Sequence, residues 1–122
     1  MKEIKLINPL LVNGVERKVL TYDTREVGIK QIAQAEACKT RLSGSASVSL
    51  AQADYLLHIC IGMQAVIALN PDISESDLLR LKGYDVAQLA MAGQSFFLPT
   101  ALSQESNSEK PQEDTQNITI AQ

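Results

Sequence analysis

The chain of 122 residues has no tryptophan, three tyrosines, two phenylalanines, two cysteines and one histidine. With so few aromatic rings, a core must be built from Leu, Ile, Val and Ala, which favours packed helices. The lone histidine, His58, stands in the most apolar stretch of the chain with no motif around it. A nucleophile or base needs an activating neighbour, so a packed histidine is the expectation and an enzyme is not. Cys38 and Cys60 fall inside predicted helices at a separation that matches no metal-ligand spacing, and they read as buried free thiols. A phosphate-binding glycine loop, a metal-ligand cluster and a spaced carboxylate pair are also missing, so no cofactor is expected. The apolar run Leu6–Val12 is short, contains Asn8 and Pro9, and has no small-residue cleavage site, so it does not read as a signal peptide. A cytosolic protein is expected.

Charge of one sign is scarce over most of the chain. Residues 1–102 carry ten bases and ten acids, and residues 103–122 hold Lys110 against four acids. Within the balanced part, residues 1–50 have eight bases and five acids, whereas residues 51–102 have two and five. That asymmetry suits head-to-tail self-association into a homo-oligomer, or it is chance.

What the chain does have is an apolar stretch from Ser49 to Asn70, apolar nearly all the way round when read as a helix. Such a helix belongs at the centre of a small domain. Ser49 with Gln52 fits a capping box at its start, and Asn70-Pro71 stops it. Gln52, Asp54, His58 and Gln64 interrupt every window and no Lys or Arg closely flanks it, which disfavours a membrane span.

Around this helix the pattern predicts an α+β domain over 1–102: a β-hairpin at 2–22, helices at about 29–42, 49–70, 75–82 and 85–98, then a disordered acidic tail over 103–122. Asn13-Gly14 supplies a type I′-like turn, and Pro9 puts the first strand at a sheet edge or splits it at a bulge. Val15 and Val19 point one way from the second strand, Leu20 and Tyr22 the other, which leaves its covered face open, cover on both sides included. In the first helix Ile29, Ile32, Ala33, Ala37 and Leu42 form a stripe opposite Lys30, Gln34, Lys39 and Arg41. Ser74 and Asp77 match a capping box, Gly83 ends that short helix, and Asp85 caps the last one. Val86, Leu89, Ala90, Gly93, Phe96 and Phe97 then follow helical spacing, with Gly93 allowing a neighbouring helix to approach. Residues 74–97 have the outline of a helix-turn-helix, yet they carry little positive charge and none after Asp85, which argues against nucleic acid as a partner.

The Asn-Gly hairpin, the run Thr24-Arg25-Glu26-Val27-Gly28-Ile29-Lys30-Gln31-Ile32 into a first helix, and the helical second half together resemble the small tail assembly chaperones of long-tailed bacteriophages and prophages. The second half resembles them in Leu69-Asn70-Pro71-Asp72-Ile73, Asp77-Leu78-Leu79-Arg80-Leu81 and Tyr84-Asp85-Val86-Ala87-Gln88-Leu89, followed by an apolar helix. The resemblance covers about residues 2–98 and rests on the order and spacing of elements. Val27-Gly28 stands where a longer turn is common in that family, and Ser43–Ser47 is unusually serine-rich. The resemblance implies a non-enzymatic chaperone of the host bacterial cytoplasm that binds the tape measure protein, keeps it soluble, helps recruit tail tube subunits and is absent from the mature virion. In such systems a longer frameshifted form often exists.

A holdase must offer apolar surface to its client, and Val86, Leu89, Gly93, Phe96 and Phe97 are the candidate partner-binding residues, with core packing as the competing reading of the phenylalanines. The alternative function is a structural particle component, either a connector or a tail-completion protein. A DNA-binding regulator is the third class.

Overall fold

The computed structural model describes residues 1–44 and 54–98; the predicted tail 103–122 and the predicted Ser49–Gln52 cap lie outside the described residues. The architecture is α+β, an antiparallel two-stranded hairpin followed by helices. Strand β1 (Lys2–Val12) pairs with β2 (Val15–Tyr22). Asn13 and Gly14 close the hairpin at φ 52° and 80°, the two positive values that a type I′ turn requires. Leu20 is buried and Tyr22 half-buried, whereas Val15 and Val19 face solvent, so only one face of the hairpin is covered.

The pairing runs from Lys2–Tyr22 to Lys5–Val19, breaks, and resumes at Leu10–Arg17. Leu6 to Pro9 therefore stand opposite Lys18 alone, a bulge at the proline that has no N–H to give. Side chains from later in the chain bind the backbone released there. The Asp85 carboxyl oxygens accept the Ile7 and Asn8 N–H groups at 2.8 and 2.9 Å. Gln88 Nε2 donates to the Lys5 carbonyl at 2.9 Å, and the Arg80 guanidinium donates to the Leu11 carbonyl. These contacts blunt a strand edge that would otherwise offer itself to another chain.

That arrangement corrects the role predicted for Asp85. Helix α4 is Tyr84–Gln94, its N-cap is Gly83 at φ 61°, and Asp85 lies in its first turn, fully buried. At the helix start the Asp85 and Val86 N–H groups already bind the Lys82 and Gly83 carbonyls, whereas the bulge leaves the Ile7 and Asn8 N–H groups outside the strand pairing, so the carboxyl serves the bulge.

Helix α1 is Ile29–Ser43, as predicted, but a different face is buried. Ala35, Cys38 and Lys39 pack inward, whereas Ile29 is 91% exposed and Ala33, Ala37 and Leu42 also face solvent. Small residues let α1 approach its neighbour closely, and Lys39 tolerates the inner side because it pairs with Asp54. Asp54 also accepts the Leu57 N–H at 3.1 Å as the N-cap of α2 (Tyr55–Leu69), a cap that the sequence placed at Ser49.

Helix α2 is the centre of the domain. Cys60 to Val66 are buried without a break, and the helix stops at the residues before Pro71. Asn70 Nδ2 donates to the carbonyls of Val66 and Thr21, each at 2.9 Å, which ties the helix end to β2. Among the described residues no helix is long and apolar enough to cross a membrane.

The third helix is shorter than its predicted 75–82. Helix α3 is Glu75–Leu78, begun by the reciprocal Ser74–Asp77 capping box at 2.9 and 3.2 Å. Arg80 N–H and Leu81 N–H then turn back to carbonyls only three residues earlier. This tighter winding brings Leu78 and Leu81 to the core together and leaves Leu79 outside. The predicted 85–98 helix is α4 followed by a 3-10 turn at Ser95–Phe97.

Helices α2 and α4 touch backbone to backbone. A Cβ on Gly62 would lie 2.3 Å from the Leu89 carbonyl oxygen, and one on Gly93 would lie 1.7 Å from that of His58. Glycine at both positions is what allows this approach, with Leu89 filling the space beside it.

Charge follows the same plan. Arg17 pairs with Asp72, Lys39 with Asp54 and Arg41 with Glu75, each a base from the first fifty residues with an acid from the following half. The charge asymmetry in the sequence is thus at least partly consumed inside one molecule.

Candidate functional site

The five residues predicted to bind a partner sit on the inner side of the last helical segment. Leu89 and Gly93 are buried against α2, and Val86, Phe96 and Phe97 are half-buried and pack on the core. The rings of Phe96 and Phe97 meet edge to face at 5.4 Å and 82°. Phe97 also lies 5.6 Å from the ring of buried His58. Leu89 and Gly93 in particular hold α4 in place and have little surface to offer.

The opposite side of α4 is different. Tyr84 and Met91, two turns apart, are 60% and 49% exposed; Gln94 is exposed beyond them and Leu98 is 53% exposed after the 3-10 turn. No charged residue occurs from Val86 to Leu98. The hairpin also exposes Ile7, Leu11, Val15 and Val19, but there Lys5 stands opposite Val19 and Glu16 opposite Leu11. Exposed apolar side chains with no charge among them make α4 the stronger candidate for a contact surface of the two. Sequence reasoning missed Tyr84, Met91 and Leu98 because it followed the larger apolar stripe. The lack of charge after Asp85 was the available signal.

A second feature is a groove of about 380 Å³ between α1 and the segment entering α3, lined by Gln34, Ala37, Arg41, Gln64, Ile67, Ile73, Ser74 and Glu75. Arg41 spans its mouth, with its guanidinium 2.6 Å from Glu75 Oε1. Buried Gln64 donates from Nε2 to Glu75 Oε2 at 3.1 Å. These three residues are far apart in sequence and carry no joint motif.

Elsewhere the reactive groups are quiet. Burial pushes the Cys60 thiol up to about 12, helped by a hydrogen bond with Cys38, so it stays protonated and unreactive at neutral pH. The Arg25 guanidinium beside Asp23 holds that carboxyl down at about 2, and the pair fixes the turn Thr24–Glu26. Among the described residues no group of three or more His, Cys, Asp or Glu converges on a point where a metal ion could sit. The helix-turn-helix outline meets an α3 of four residues and an α4 whose only charge is the buried Asp85. Comparisons with protein-family models, with curated proteins and with solved structures find no match.

Proposed function

We propose that this chain is a non-catalytic assembly chaperone of a long-tailed phage or prophage. It holds the helical tape measure protein in the host bacterial cytoplasm and assists tail tube assembly. The observation that carries the reading is the charge-free outer face of α4, with Tyr84, Met91 and Leu98 exposed on a protein whose remaining surface is well charged. An amphipathic client helix lays its own apolar stripe against such a face, and many copies along one elongated client add avidity. The order of hairpin, Thr24–Ile32 run and proline-terminated central helix supports the choice of this family.

The test is co-expression with the long helical open reading frame next to this gene, followed by fractionation and pull-down. The client is expected in the soluble fraction only when this protein is present, and this protein is expected to be missing from purified particles. A client that stays insoluble, together with this protein in purified particles, would replace the chaperone by a connector or tail-completion subunit.

A further inference from the structure

The groove between α1 and the segment entering α3 has a polarity that selects its occupant. Its lining includes Gln64, 4% exposed, whose Nε2 donates to Glu75 Oε2 while no hydrogen bond to its Oε1 forms among the described residues. Glu75 stands beside it as a second acceptor, and the wall residues Ala37, Ile67 and Ile73 are apolar. The one cation present, Arg41, comes from the rim: its side chain is 59% exposed and it holds Glu75 Oε1.

We propose that this groove is a receptor for an arginine side chain presented by a partner protein, with Arg41 standing in its place in the free chain. A buried amide oxygen without a donor is costly, and a carboxylate beside it accepts more bonds than the two it has. A guanidinium carries several donors in a rigid planar fork, so it bonds Glu75 Oε1 and Gln64 Oε1 at once. Its methylene stem lies along Ala37, Ile67 and Ile73. A lysine brings a single point charge on a flexible stem and fits the two oxygens less well. An aliphatic side chain leaves both unmatched. Arg41 yields because an exposed ion pair contributes little, about 1 kcal/mol at most. The assignment is independent of the α4 face and stands whatever client that face holds.

The experiment titrates the full isotope-labelled chain with N-acetyl-arginine amide, and separately with the lysine and leucine equivalents, following amide resonances by NMR. Arginine is expected to shift the Gln64 side-chain amide and the Ser74 and Glu75 backbone, with the lysine probe weaker and the leucine probe silent there. The substitution Arg41→Ala vacates the mouth and is expected to tighten arginine binding up to about fivefold, the equivalent of the ion pair removed. Gln64→Met keeps the length and removes the oxygen, and is expected to abolish the site-specific shifts. Equal response to all three probes, no tightening in Arg41→Ala, or unchanged binding in folded Gln64→Met would each overturn the proposal. Should Gln64→Met fail to fold, the exposed Arg41 variant decides alone.

Discussion

At the scale of single residues, Gly93 shows how one missing side chain sets a helix crossing. Glycine inside a helix is ordinarily a weakness, and replacing it with alanine adds up to about 1 kcal/mol of helix propensity. Here the added Cβ would fall 1.7 Å from the His58 carbonyl oxygen and 2.8 Å from the Gly62 nitrogen, both backbone atoms that move only if α2 and α4 separate. The clash outweighs the propensity gain. Gly93→Ala is expected to destabilise the protein by about 3 kcal/mol, the upper range of overpacking costs. Gln94→Ala, one residue on at an exposed position, should stay within about 0.5 kcal/mol. Urea unfolding of both variants checks this, and a neutral Gly93→Ala would mean that the two helices are not in backbone contact.

At the scale of elements, Asp85 couples the last helix to the first strand. Its two oxygens serve two adjacent N–H groups of the β1 bulge, and Gln88 donates to one of them at 3.0 Å. Asp85→Asn keeps the size but turns one acceptor into an amide donor aimed at another donor. The expected cost is about 2 kcal/mol, with faster hydrogen exchange at the Ile7 and Asn8 amides. Unchanged exchange at those two amides would show that the bulge is held by the hairpin itself. The same elements show how far sequence reaches. The hairpin, its Asn-Gly turn and the irregularity at Pro9 were legible because turn chemistry and proline act locally. The inner face of α1 was not, because Lys39 reads as a solvent residue until its partner Asp54 is known. The end of α3 and the reach of Asp85 depended on which distant residues the fold brings together, a tertiary property. The α4 stripe is legible as helical, but not which way it faces, because an apolar stripe serves a core and an interface with the same letters.

At the scale of the whole molecule, the ion pairs that join the two halves use none of the residues exposed on the charge-free side of α4. Arg17–Asp72, Lys39–Asp54 and Arg41–Glu75 lie across contacts between early and late elements. The exposed side of α4 has no charge to contribute to such pairing, and its Tyr84, Met91 and Leu98 side chains are about half exposed. Stability and partner binding should therefore respond to different substitutions on one short segment. Phe97→Ser removes a ring that packs on His58 and the core, and is expected to destabilise by about 2 to 3 kcal/mol, with client binding lost only as far as the fold is lost. Met91→Glu sets a charge in the exposed patch two turns after Tyr84, leaving the unfolding midpoint nearly unchanged while rescue of the client in co-expression fails. Both variants are measured by chemical unfolding and by the client's soluble fraction. If Met91→Glu rescues the client as well as the parent does while Phe97→Ser abolishes rescue at full stability, the binding face is the inner stripe exposed by an opening of α4, and the outer face is ordinary surface.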